Sequence, residues 1–158
     1  MKDKNLVIIS GAVVFKDQNG LTKWFLVKQN EEDGWEIPKV IIRKGESSVR
    51  GALRLMGEKG SMTTRVLEEA GRAGGVATVN GKTRSQRYLY YLMLMKVTSG
   101  EPIGFEDYQW LDYAQSMRKI KSKREKTMLK DANVVMKQWK KERAKRRKKA
   151  KELSDLQK

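Results

Sequence analysis

Apolar residues near the start of the chain form short runs that are separated by turn-forming sequences. Residues 6–15 and 24–28 are rich in β-branched and aromatic side chains, and the polar segment 17–20 lies between them. Two such runs around a short polar segment predict a β-hairpin. A third run covers residues 35–42, where Pro38 favours the edge or the end of a strand because it lacks a backbone N–H.

A helical pattern follows the third run. Either Ser47 or Ser48 can cap this helix, and Gly57 and Gly60 are expected to end it. Between them, apolar residues recur at the three- and four-residue spacing that places them on one helix face. These residues are Val49, Ala52, Leu53 and Met56.

Strand patterns return after this helix. We expect a strand over residues 62–67 and a glycine-containing loop over 68–75. An Asn-Gly turn between residues 76–79 and 88–97 predicts a second hairpin, and residues 108–111 form a last short strand.

The spacing becomes helical beyond residue 112. A short helix is expected around Met117 and Ile120, and the sequence Ser-Lys-Arg-Glu at 122–125 has the form of a capping box for a second helix. A mixed sheet with one helix between strands and helices at the C-terminal end predicts an α/β (α+β) sandwich. The apolar stripe of the second helix consists of Met128, Ala132, Val135, Met136 and Trp139.

Composition excludes several kinds of chemistry. The chain has 158 residues, of which 39% are hydrophobic, enough for about one domain. It contains no cysteine and no histidine, so disulfides, thiolate or imidazole metal sites and Ser-His-Asp catalysis are excluded. Catalysis would have to depend on carboxylates, lysine, arginine, tyrosine or a hard metal ion.

Positive charge is concentrated at the C-terminal end. The formal net charge is +16, and residues 117–158 hold 18 Lys and Arg against 5 Asp and Glu. Because the apolar stripe stops at Trp139, we divide the chain into a domain at 1–139 and a basic helical or disordered tail at 140–158. The basic residues of the tail are densest at Lys140, Lys141, Arg143, Lys145, Arg146, Arg147, Lys148, Lys149 and Lys151.

This tail predicts an anionic partner. Its charge density favours the phosphates of RNA or DNA, with an affinity that falls as salt rises. The alternative is a solvated run of charges that only aids solubility. Membrane anchoring is disfavoured because no aliphatic or aromatic face accompanies the charges. No small-residue cleavage site follows the first apolar run, so we expect a cytoplasmic protein rather than a secreted one.

One segment resembles a known motif. Trp-Glu-Ile-Pro-Lys at 35–39, Gly-Glu at 45–46, and then Ala52, Arg54 and Glu58 resemble the Nudix hydrolases, whose signature is G-x5-E-x7-R-E-U-x-E-E-x-G-U with U a bulky apolar residue. The order of strands and helices over roughly residues 5–139 is similar to that family as well. The resemblance implies a Nudix-type α/β/α sandwich with a mixed sheet.

The resemblance also implies an activity and a site. Nudix hydrolases split a nucleoside diphosphate from a linked group, using Mg²⁺ or Mn²⁺ held by glutamates of the signature. In this chain Glu46 matches the first glutamate, Arg54 the arginine that orients the glutamates, and Glu58 the first of the paired glutamates. The implied catalytic residues are therefore Glu58, Arg54 and Glu46, with Glu46 and Glu58 as metal ligands.

The signature is incomplete in the segment 40–61, which we call the box. Val40 replaces its first glycine, Leu55 the glutamate after the arginine, Lys59 the second paired glutamate and Ser61 the last glycine. Leucine cannot bind a metal ion, and a lysine adds a positive charge where cations would be held. These changes predict a degraded metal site.

Three hypotheses of function follow. The first is a weakly active or inactive Nudix-fold protein that binds a nucleotide or RNA, for instance within a ribonucleoprotein. The second is an active hydrolase of nucleoside diphosphate derivatives or RNA ends that uses Mg²⁺ or Mn²⁺ on a non-standard carboxylate set, with Glu106 or Glu36 beside Glu46 and Glu58. The third is an interaction module that uses the fold only as a platform.

The sequence Glu-Glu-Ala-Gly at 68–71 offers a second register for the end of the signature. That register would insert about ten residues into a helix whose glutamates must stay on one face. The register through Arg54 and Glu58 keeps the spacing, and we therefore favour it.

Overall fold

Six strands form one mixed sheet in the part of the chain that the computed structural model describes, residues 6–32 and 34–157. The strands lie in the order β4-β5-β1-β2-β6, and β3 pairs with β1 off this path. Only β1 and β5 pair in parallel. The elements are β1 Leu6–Gln18, β2 Leu21–Lys28, β3 Lys39–Ile41, α1 Ser48–Glu58, β4 Met62–Val79, β5 Lys82–Thr98, β6 Asp107–Leu111, α2 Tyr113–Lys119 and α3 Lys123–Leu156.

The sheet lies between helices because its strands are apolar on both faces. In β1, Val13 and Phe15 belong to the core on the α3 side, whereas Ala12 and Val14 belong to the core on the α1 side. Alternate residues of a strand point to opposite faces, so a nearly continuous apolar run is what a covered central strand requires. This arrangement confirms the predicted α/β sandwich with a mixed sheet.

The predicted loop at residues 68–75 is wrong, because β4 continues through it and pairs with β5 as far as the turn. Its glycines allow a close approach instead of a loop. A Cβ atom added to Gly71 would lie 2.5 Å from the sulfur of Met128 on α3, a distance that atoms cannot share. Small residues in β4 therefore let α3 pack directly on the strand.

Helix α3 is held by a buried carboxylate. Ser122 caps the helix by accepting a hydrogen bond from the Glu125 N–H, which confirms one half of the predicted capping box. The other half is wrong, because the Glu125 carboxylate does not turn back to the Ser122 N–H. The Glu125 side chain is only 2% exposed and turns towards the sheet. It accepts hydrogen bonds from the Ile37 N–H at 3.0 Å and the Tyr90 hydroxyl at 2.9 Å, and Lys39 Nζ lies 2.8 Å away.

This network also fixes the protonation state of the tyrosine. Burial, together with the neighbouring Glu125 carboxylate, raises the pKa of Tyr90 above its ordinary value of 10.0. Tyr90 therefore keeps its proton and remains a hydrogen-bond donor at neutral pH.

No break separates the body from the basic tail, because α3 runs unbroken from Lys123 to Leu156. Met128, Ala132 and Met136 bury one face of its first half. Beyond Arg143 every residue that the structure describes is exposed. Within the described residues, no helix is long and apolar enough to cross a membrane.

We expect Glu125→Ala to lower the free energy of unfolding by about 3 kcal/mol or more, because it leaves a half-buried lysine and two buried donors without their shared acceptor. Glu125→Gln keeps one side-chain oxygen and should cost less. Urea unfolding followed by circular dichroism measures both. Glu152→Ala, at an exposed position of the same helix, should change stability by less than about 0.5 kcal/mol. Equal losses in Glu125→Ala and Glu152→Ala would contradict this role.

Candidate functional site

The box folds as a loop followed by α1. Gly45 in the loop has φ +79°, a conformation that glycine adopts without strain. The Glu46 N–H donates to the Arg43 carbonyl, and the Arg43 N–H donates to Glu46 Oε1 at 3.2 Å. The loop lies directly on the helix, since a Cβ atom at Gly51 would be 2.2 Å from a methyl group of Ile42. This closed loop positions Glu46 beside α1.

Glu46 and Arg54 form a two-pronged ion pair. Arg54 Nε lies 2.7 Å from Glu46 Oε2, and a second guanidinium nitrogen lies 2.9 Å from Oε1. The Arg54 hydrogen bonds, with the backbone donor of Arg43, lower the pKa of Glu46 from 4.5 to about 2. The carboxylate is therefore ionised at neutral pH, and both of its oxygens are engaged by arginine.

Glu58 lies on the other side of the same arginine, but it is held loosely. Its carboxylate is 3.8 Å from Arg54 and 3.9 Å from Arg43, and its side chain is 57% exposed. Exposed ion pairs at such distances contribute little to stability. The structure thus brings the three residues predicted from the box together, with Arg54 at the centre.

The two substituted glutamate positions have different surroundings. Leu55 is 1% exposed and packs in the apolar core between α1 and the sheet. Lys59 caps the end of α1, with its side chain exposed. The backbone at Lys59 contacts the loop before β6, where the Gly104 N–H donates to the Lys59 carbonyl. Position 55 therefore belongs to the core and position 59 to the surface.

The backbone supports the register of the box. Ser61 stands at the position of the last glycine of the signature and has φ +51°, a left-handed conformation that favours glycine. The competing register is excluded, because Glu68 and Glu69 lie in β4 opposite Leu92 and Tyr91 of β5. A strand cannot place these two glutamates on the helix face that the signature needs.

The further carboxylates of the second hypothesis do not complete a metal-binding group among the described residues. Glu36 pairs with Lys39 at 3.3 Å, and Glu106 is exposed in the loop before β6. Within residues 6–32 and 34–157, no group of three or more Asp and Glu side chains is placed to hold a metal ion. The carboxylates near Arg54 are Glu46 and Glu58.

Three contacts between the sheet and the helices were not predicted. Ser48, in the first turn of α1, hydrogen-bonds Tyr91 of β5, and the Ser48 carbonyl accepts from Ser10 of β1 at 2.7 Å. On the opposite face, the Arg124 guanidinium stacks 3.8 Å above the Tyr88 ring. These pairs are distant in sequence, so no local pattern could have indicated them.

The basic residues predicted for nucleic-acid binding lie along the second half of α3. All of them are exposed except Lys140 and Arg143, which are half-buried. Lys140 Nζ lies 2.6 Å from Asp17 and 2.7 Å from Thr22 at the β1–β2 turn. It anchors the helix to the body. The residues beyond Arg143 have no such anchor to the body within the described part of the chain.

Solved structures of known proteins match this fold, although no protein-family model and no curated protein sequence matches the chain. A C. elegans Ap4A hydrolase is 16% identical, with a TM-score of 0.65 over 83% of this chain and 98% of that one. The NUDIX domain of Shewanella oneidensis NrtR, in complex with ADP ribose, is 19% identical, with a TM-score of 0.63 over 85% and 90% of the two chains.

A third match is the E. coli dihydroneopterin triphosphate pyrophosphohydrolase, 12% identical, with a TM-score of 0.59 over 77% of this chain and 91% of that one. Identities this low establish shared architecture. Together with the box geometry and the register at Ser61, they lead to one conclusion. The chain has the fold of the Nudix hydrolases.

Proposed function

We propose that this is a Nudix-fold protein with a degraded metal site, weakly active or inactive as a hydrolase, which binds RNA through the basic half of α3. The observation that carries the first part is the burial of Leu55 at the position of a signature glutamate. The observation that supports the second is a basic helix, exposed beyond Arg143, that continues without a break from the body.

The residues around Arg54 do not fit a cluster of divalent cations. Magnesium needs several oxygen ligands at about 2.1 Å in near-octahedral geometry. Glu46 already directs both oxygens to Arg54, and Glu58 is the one other carboxylate that contacts this arginine among the described residues. Arg54, Arg43 and the cation of Lys59 instead give this end of α1 a positive character. Such a surface suits a nucleotide phosphate bound without metal.

The basic half of α3 suits a polyanion. Residues 144–156, which are all exposed, account for about 20 Å of helix. Within this segment, basic residues repeat at a spacing of four, for example Lys145 and Lys149, and like charges at that spacing destabilise a helix. A phosphate backbone along the helix would relieve this repulsion and release counterions.

The second candidate is an active Mg²⁺- or Mn²⁺-dependent hydrolase with a non-standard carboxylate set. One observation favours it, since Glu58 is exposed and only loosely paired, and is therefore free to bind a cation. Glu46 would then have to exchange Arg54 for the metal. The likeness to a domain in complex with ADP ribose supports a nucleotide as the ligand in either case.

We expect Leu55→Glu to destabilise the protein by several kcal/mol, because it places a carboxylate in an apolar core. Leu53→Glu, on the exposed side of the same helix, should cost much less. Thermal unfolding with and without millimolar MgCl₂ provides the test. Recovery of the lost stability by Mg²⁺ would indicate a latent metal site and contradict the proposal.

Hydrolysis is tested directly with nucleoside diphosphate derivatives and capped RNA in Mg²⁺ or Mn²⁺. We expect the wild-type protein to release product no faster than Glu58→Gln, because neither has enough carboxylates to hold the cation. Turnover by the wild type that Glu58→Gln abolishes would instead establish the second candidate.

RNA binding is tested with six glutamine substitutions, at residues 145–149 and 151, which keep the Lys140 anchor. We expect at least about 100-fold weaker binding to a single-stranded RNA, and a decrease of about 4 in the slope of log K against log salt concentration. Glu58→Gln is the control and should bind as the wild type does. An intact protein that fails to bind RNA at low salt would refute this part of the proposal.

A further inference from the structure

A cleft lies where α3 leaves the body, between the helix and the β4–β5 hairpin. Its volume is about 110 Å³. Four of its lining side chains are cationic and one is acidic, so the cleft carries a net positive charge. We call it the root cleft, and it is lined by Arg65, Leu94, Lys96, Trp139, Glu142, Arg143 and Arg146.

The two walls of the root cleft are fixed relative to each other. Trp139 packs edge-on against Phe15 of β1, with ring centroids 6.2 Å apart. The Arg143 guanidinium lies 5.1 Å from the centre of the Trp139 ring, which orients it at the cleft. One turn away, Lys140 ties the helix to Asp17. The cations of the helix wall thus lie where α3 is packed against the body.

The charges of the sheet wall are not neutralised. Within residues 6–32 and 34–157, neither Arg65 nor Lys96 forms an ion pair with a carboxylate, and both are exposed. The acidic residue of the cleft, Glu142, pairs with Arg146 at 4.0 Å, and both side chains are more than half exposed. An exposed pair at that distance contributes little and is easily exchanged for a stronger anion.

We infer that the root cleft binds a phosphodiester group of the RNA backbone, so that RNA is held between the sheet and the helix. This inference rests on the proposed RNA binding and adds Arg65 and Lys96, which lie in β4 and β5, to the binding surface. Charge complementarity identifies the partner, because two arginines of the helix and two cations of the sheet converge on one small cleft. Arginine forks match phosphate geometry particularly well.

The root cleft is remote from the box. The loop of the box contacts β1 at Ile8, through the Ile42 N–H, whereas Trp139 contacts β1 at Phe15. Seven strand residues separate these two points, or about 23 Å. RNA in the root cleft therefore leaves the Arg54 end of the molecule open.

The test compares two double variants that remove the same charge from the same hairpin. Arg65→Gln with Lys96→Gln removes both positive charges from the sheet side of the root cleft. Lys82→Gln with Arg84→Gln removes two exposed positive charges at the far end of the hairpin. Fluorescence anisotropy with a labelled single-stranded RNA gives affinity and its salt dependence. Circular dichroism checks that both variants are folded.

We expect the first variant to bind on the order of 10-fold more weakly at 0.1 M salt, with the salt slope reduced by about 1.4, and the second to bind as the wild type does. Equal affinities of the two double variants would overturn the inference. This holds even if the variant with six glutamine substitutions in α3 has lost RNA binding, since that result concerns only the proposed function. Absence of RNA binding by the wild type would instead refute the proposed function itself.

Discussion

The buried carboxylate of Glu125 is the interaction on which the architecture depends. Removing a charge from water costs several kcal/mol, and only a nearly complete set of partners offsets that cost. Here the partners come from the segment before β3, from Lys39 and from β5. One side chain therefore ties the first turn of α3 to two strands of the sheet and to the segment before β3.

The two faces of the sheet serve different purposes in this molecule. On one face lies α1, where Glu46 and Glu58 pair with Arg54 and Leu55 packs in an apolar core. On the other face α3 packs through an apolar stripe and then continues as a cationic projection. In the proposed function, the α1 face has lost its metal-binding carboxylates and the α3 face binds phosphates through guanidinium and ammonium groups.

Much of this could be predicted from the sequence where the signal is local. Alternating and continuous apolar runs predicted most strands, and the spacing of Glu46, Arg54 and Glu58 predicted that they meet. The failures have a common cause. A glycine such as Gly71 is compatible with a turn and also with the close approach of a helix. A glutamate three residues after a serine, such as Glu125, is compatible with a capping box and also with a buried ion pair. Only tertiary contacts, with Met128 and with Lys39, decide between these meanings.

Because α3 is one continuous helix, a residue inserted into it would change the orientation of every side chain that follows. Each residue added to a helix turns everything beyond it by 100° and advances it by 1.5 Å. The distal half, which is basic on every side, would present an equivalent surface after any such rotation. Arg143 and Arg146 would not, because each must face the sheet wall. The exposed end of α3 thus tolerates a rotation about the helix axis, whereas the residues at the root cleft keep their positions only in the present helical register.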